Sequence, residues 1–107
     1  MEITQKQENG IVRIIIKGRL DAESAPLADR IVKGIIAKEN PRLLFDLCGL
    51  DYVSSAGLRV ILTAAKDVFK TGGEIVLCCL NEFVRDVFES SQFPIADTVA
   101  EGIEKFS

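Results

Sequence analysis

Three short apolar runs, separated by segments of helical periodicity, leave this chain few ways to fold. The runs are Ile11-Val12-Arg13-Ile14-Ile15-Ile16, Leu43-Leu44-Phe45-Asp46-Leu47 and residues 74–80. Brief, nearly continuous apolar stretches of this kind mark strands buried on both faces. The segments between them are long enough for a crossover helix, and strand–helix–strand units joined in this way pair in parallel. The first run also has a neighbour of a different kind. Residues 2–8 read as a strand, and Asn9-Gly10 is a tight-turn signal between two extended segments. The chain therefore opens on a hairpin, whose second strand is largely buried and ends at Gly18.

The intervening segments carry their own punctuation. In residues 21–39, Leu27, Ile31 and Ile35 recur at every fourth position, and Ala28 and Ile36 widen the stripe. Asp21 or Ser24 caps this helix, Pro26 suits its first turn, and Asn40-Pro41 ends it. Residues 49–53 read as a connecting loop. A second helix begins near Ser54-Ser55, with Leu58, Ile61, Leu62, Ala65, Val68 and Phe69 as its apolar stripe. Arg59, Lys66, Asp67 and Lys70 take the other side. Val60 and Ala64 fall off the stripe, so they either belong to a binding surface or widen the buried face. Gly72-Gly73 stops the helix, one of the two with positive φ. Asn81 caps a third helix with Phe83, Val84, Val87 and Phe88 inward. Pro94 interrupts, and residues 97–106 suggest a short last helix. The predicted order is β-β-α-β-α-β-α-(β)-α. This is a small α/β domain whose mixed open sheet starts with an N-terminal hairpin and carries about four helices.

Composition removes several function classes. A chain of 107 residues fits one domain, taken here as residues 1–107. Lys and Arg total 13 against 16 Asp and Glu, a net charge of −3 with no basic stripe, which argues against direct nucleic-acid binding. Histidine is absent, and with it the commonest metal ligand and general base. The cysteines are Cys48, Cys78 and Cys79. An odd count with two adjacent residues is a poor disulfide framework, and no CxxC supports zinc. They read as small buried apolar side chains in a reducing compartment. No catalytic residue, metal or cofactor is expected. The polar N-terminus is no signal peptide, and no apolar run approaches the roughly 20 residues of a membrane span. The expectation is a cytoplasmic protein that does not engage a membrane.

One segment concentrates the chemistry: Leu50-Asp51-Tyr52-Val53-Ser54-Ser55-Ala56-Gly57-Leu58-Arg59. It follows the carboxyl end of an interior strand and opens a helix, where open α/β sheets usually bind their ligands. The plainer reading makes Ser54 or Ser55 a helix cap, worth about 1 kcal/mol. The functional reading makes one of them a phosphorylation site. Phosphate at a helix N-terminus meets the positive end of the dipole and unpaired N–H donors, so the fold survives while a partner surface loses its fit. No base stands in the segment to activate a serine nucleophile, which favours a serine acted on by another protein. Gly57 permits close backbone approach or tight helix packing.

These residues resemble a known family. Gly18-Arg19-Leu20-Asp21, Leu43-Leu44-Phe45-Asp46-Leu47, Leu50 to Leu58 and Gly72-Gly73-Glu74 together look like a STAS-domain anti-sigma factor antagonist, over nearly the whole chain. The resemblance implies a bacterial partner-switching protein. Unmodified, it binds an anti-sigma factor that is also a serine kinase, and a sigma factor or other target is released. Phosphorylation of one serine inactivates it, and a PP2C-type phosphatase restores it. By position the acceptor is Ser55, two residues before Gly57, with Ser54 as second choice. Ser54 stands where the best-known members have Asp, and Ala56 where they often have Ser or Thr. Asp21, Ser54, Ala56, Gly57, Arg59 and Thr63 would form the partner surface, although capping explains Asp21 and a solvated face explains Arg59 and Thr63. A monomer is implied for the free protein. The family also contains adaptor subunits of transport and signalling complexes that need no phosphorylation, which gives the alternative reading. A nucleotide-binding enzyme is disfavoured, since neither GxxxxGK[ST] nor GxGxxG occurs.

Overall fold

The computed structural model describes residues 1–36, 41–89 and 93–106. In chain order the elements are β1 (Glu2–Glu8), β2 (Ile11–Leu20), α1 (Ala25–Ile36), β3 (Arg42–Asp46), β4 (Leu50–Val53), α2 (Ser55–Lys70), β5 (Glu74–Cys78), α3 (Glu82–Glu89), β6 (Ile95–Ala96) and α4 (Val99–Glu104). The sheet runs β1-β2-β3-β5-β6, with β4 on β2 off this path. Among the described residues, only the hairpin pair β1–β2 is antiparallel. Its turn residues Asn9 and Gly10 have φ of 51° and 79°, the mirror-image turn whose twist matches the flanking strands. The mixed open sheet, its leading hairpin and the four helices agree with the sequence reading.

Side-chain alternation along the strands sorts the core into two layers. Val12, Ile14, Ile16, Leu43, Phe45, Ile75 and Leu77 face α1, α2 and α3. Ile11, Leu44, Val76 and Cys78 face the other way, against Ala96 and Phe106. Ile14, Phe45 and Leu77 are fully buried, each contributing roughly 1.5–3 kcal/mol. Asp46 is the one charged residue buried among those described. Its Oδ2 accepts from Arg13 Nε at 3.0 Å and Nη2 at 2.6 Å, and its Oδ1 accepts from the Cys48 backbone at 3.1 Å. The neighbouring carboxylate holds the Arg13 guanidinium above its usual range, chiefly through the hydrogen bond.

Several expectations are corrected. Residues 50–53 are not a loop but strand β4, which pairs in parallel with the last residues of β2. Strand β2 is long enough to pair with β3 through Val12–Ile15 and then with β4 at Gly18–Leu20, with a register shift between Gly18 and Arg19. Helix α1 begins only at Ala25, and its buried set is Ala25, Ala28, Val32, Ile35 and Ile36, which leaves Leu27 exposed. Its predicted end at residues 39–40 lies outside the described residues. Helix α2 buries Gly57, Val60, Ile61, Ala64, Ala65 and Val68. Val60 and Ala64 therefore belong to the core, while Leu62 and Phe69 lie exposed. Small residues win this face because they let the helix backbone approach the sheet and α1 closely. Phe83 also points outward, leaving Val84 and Phe88 to bury α3.

The cysteines differ most from expectation. Cys48 and Cys79 form a disulfide with Cα atoms 4.7 Å apart, and Cys78 is the free, buried thiol. Parallel neighbours β3 and β5 place Asp46 beside Cys78, so residues just past both strand ends meet. Strand β5 stops at Cys78, and Cys79 takes the left-handed region at φ 63°. A residue so placed does not continue the strand read over residues 74–80. No helix among the described residues is long and apolar enough to cross a membrane.

Candidate functional site

The segment singled out from the sequence runs off β4 into α2, at the carboxyl edge of the sheet. The junction is pinned to β2: Ser54 N–H donates to Leu20 O at 2.9 Å, and Gly18 N–H donates to Gly49 O at 2.9 Å. Ser54 has extended backbone (φ −91°, ψ 175°), and its Oγ accepts from Gly57 N–H at 3.3 Å. It is the N-cap of α2. Ser55 is the first residue of the helix, exposed, and its hydroxyl makes no hydrogen bond among the described residues. The two serines thus divide between them what the spacing alone left open. One hydroxyl is spent on the cap, and the other faces solvent.

Gly57 holds this geometry. A Cβ there would collide with the Leu20 carbonyl oxygen and lie 2.8 Å from Leu20 Cγ. The backbone that Gly57 admits is the chain's own β2. Ala56 is half-buried and Arg59 exposed, and both line a cleft of about 370 Å³ between α1 and α2. Ala22, Pro26, Asp29, Lys33 and Thr63 share that cleft. Arg59 lies one turn beyond Ser55 on the exposed side of the helix.

Asp21 stands at the entry to α1. Its Oδ1 accepts from the backbone N–H of Glu23 at 3.1 Å and of Ser24 at 3.2 Å. The Ser24 backbone bond is the main reason its carboxyl sits below the usual range, with the Ser24 hydroxyl, Glu23 and Arg19 adding to it. Asp21 therefore organises the turn before α1 while staying partly exposed. It lines a separate cleft with Arg19, Ser24 and Leu27.

Sequence reasoning missed a stack beside the junction. The Tyr52 and Phe83 rings lie parallel with centroids 5.6 Å apart, and the Arg19 guanidinium sits 4.2 Å from the Tyr52 centroid. Asn81 fastens the same two elements: its Oδ1 accepts from Val84 N–H at 2.8 Å, and its Nδ2 donates to Leu50 O at 3.0 Å. The available signal was Phe83, an aromatic next to the Val84–Phe88 spacing rather than on it.

A family model described as the STAS domain matches residues 2–102. The chain belongs to the STAS-domain family. It is 36% identical over 102 residues to BtrV of Bordetella bronchiseptica, named as an anti-sigma factor antagonist, covering 92% of this chain and 88% of that protein. Among solved structures, an anti-sigma factor antagonist from Thermotoga maritima superposes with a TM-score of 0.88 at 24% identity, over 96% of this chain and 92% of that one. The phosphorylated form of the Bacillus cell-fate determinant SpoIIAA gives 0.78 at 18% identity, over 99% and 100%. At those identities the structural likenesses speak for the STAS fold alone. Within that fold, the residues this chain presents at the β4–α2 junction are a solvent-facing serine, a spent capping serine and an exposed arginine.

Proposed function

We propose that this STAS domain is an anti-sigma factor antagonist that works as a phosphorylation-controlled partner switch, with Ser55 as the acceptor. The observation that carries the reading is the division of labour between Ser54 and Ser55. The Ser54 hydroxyl caps α2, whereas the Ser55 hydroxyl is exposed and uncommitted at the first helical position. The named function of BtrV supports the antagonist role.

In this reading the unphosphorylated protein docks on an anti-sigma factor that is also its serine kinase. Ser55 and Arg59 face that partner directly, with Thr63 and Ala56 in the adjoining cleft and Asp21 beside it. Ser54 and Gly57 serve the surface by fixing the helix that carries it. Phosphorylation adds about −1.5 to −2 charges. The first turn of α2 carries no acidic residue, so the phosphate meets the helix dipole and the N–H groups of Ser55 and Ala56 without repulsion from that turn. Arg59, one turn on, is placed to pair with it. The fold tolerates the change, and the partner, which must bury the modified surface, does not. A PP2C-type phosphatase resets the switch. The protein acts in the cytoplasm as a monomer and performs no chemistry itself.

The test is binding to the cognate anti-sigma factor kinase by calorimetry, together with site mapping by phosphopeptide mass spectrometry. Ser55→Ala binds as wild type and takes up no phosphate, and Ser55→Asp binds at least tenfold more weakly, a loss of about 1.4 kcal/mol. Undiminished binding by Ser55→Asp overturns the switch. Phosphate on Ser54 keeps the switch and moves the acceptor. A protein that is never phosphorylated yet co-purifies with an ATPase is instead a constitutive adaptor.

A further inference from the structure

The Cys48–Cys79 pair sits on the same edge of the sheet as the β4–α2 junction. Cys48 is exposed and Cys79 partly so. The bond spans 31 residues and joins the turn entering β4 to the segment entering α3. Asn81 and the Tyr52–Phe83 stack already fasten β4 to α3, so the disulfide is a third tie across one seam. We propose that Cys48 and Cys79 are a reversible redox pair, oxidised by low-molecular-weight disulfides and reduced by dithiols, that sets the rigidity of the β4–α3 seam.

The sulfur atoms and a carboxylate oxygen of Asp46 lie within 4.8 Å of one another, so a metal site is the competing use. Asp46 decides against it. Its Oδ2 is held twice by Arg13 and its Oδ1 by the Cys48 N–H. Only two thiolates remain, half of what a closed structural zinc site needs. Permanence is the other alternative. The layered apolar core needs no staple, and an exposed cysteine such as Cys48 is open to exchange.

In the oxidising direction the Cys48 thiolate, the more exposed, attacks a sulfur of the small disulfide and expels one small thiolate. The Cys79 thiolate then attacks Cys48 Sγ in the mixed disulfide and expels the second. Two cysteine thiols lose two electrons and two protons, and one small disulfide becomes two small thiols. A dithiol reverses both steps. Cys78 takes no part because it is buried.

The proposal is independent of Ser55, and its readouts need no partner. The folded chain is equilibrated across oxidised-to-reduced glutathione ratios, alkylated and weighed, and amide exchange is followed in both end states. The expected result is loss of two hydrogens on oxidation with Cys78 unmodified, full recovery with dithiothreitol, and no such loss in Cys48→Ser or Cys79→Ser. The oxidised form melts higher by on the order of 10 °C, and its amides at Leu50–Val53 and Val84 exchange more slowly. Glutathione adducts without the internal bond, a bond that resists dithiothreitol in the folded chain, equal exchange at the seam, or zinc retained stoichiometrically by the reduced protein each overturn it.

Discussion

At the level of single residues, Ser54 and Ser55 differ by one position and by everything that position implies. Ser54 precedes the helix, so its hydroxyl reaches forward to Gly57 N–H. Ser55 is inside it and points out. Ser54→Ala should therefore lower stability by about 1 kcal/mol, while Ser55→Ala stays within about 0.5 kcal/mol of wild type. Urea denaturation of the two variants separates them, and equal losses would refute the assignment of the cap. Gly57 poses a contest of opposite signs. Alanine favours a helix over glycine by about 1 kcal/mol, but overpacking costs about 1–3 kcal/mol. The obstructing atom is the Leu20 carbonyl oxygen, already fixed by Ser54 N–H, so it cannot move aside cheaply. Gly57→Ala should lower the melting temperature, and a rise would show that the junction is looser than these contacts require. The spacing of residues 50–59 made this site legible as a strand-to-helix turn with a capping serine. Which serine caps depends on where the helix starts to within one residue, and periodicity does not resolve that.

At the level of elements, Asn81 does two jobs that neither β4 nor α3 does for itself. It caps α3 through Val84 N–H, and it holds the Leu50 carbonyl of β4. Asn81→Ala removes both, and the expected loss is about 1–2 kcal/mol. Amide exchange should quicken at Val84 and at the residues of β4. Quickening in α3 alone would mean that the bond to Leu50 contributes nothing. Asn81 was legible as a cap, because a polar residue before an apolar helical spacing is a local signal. Its bond to Leu50 joins residues 31 apart in the chain, and nothing local announces that. The same holds for β4. It has four residues, two of them exposed or half-buried, too short and too mixed for a strand signal. It exists because β2 outlasts β3 and leaves its last residues unpaired on that side. The faces of α1 and α2 were misjudged for a related reason. Size suggested Leu27, Leu62 and Phe69, whereas the helices turn alanine, valine and isoleucine, with Gly57, toward their neighbours.

For the molecule as a whole, the layer of core behind the sheet holds a titratable group, among the described residues, that reports on global unfolding. Cys78 packs there with Leu44, Val76 and Phe106. Burial pushes its thiol up from an ordinary 9.0 to about 11, and the nearby Asp46 carboxylate adds to this while Arg13 opposes it. The unfolded chain releases this proton near the ordinary value, and the folded chain keeps it for about two units more. Between those values the unfolded state binds fewer protons, so stability falls as pH rises across that window. Below it the group has no effect on the pH dependence. Other groups also titrate in alkali, so the informative quantity is a difference. In a background with Cys48 and Cys79 both changed to Ser, which removes alkaline thiol exchange, stability is measured by urea denaturation from pH 7 to pH 11 with and without Cys78→Ala. The variant loses packing at every pH, yet its curve should be flatter above pH 9. Parallel curves would mean that the thiol ionises as easily inside as outside, and that water reaches this layer of the core.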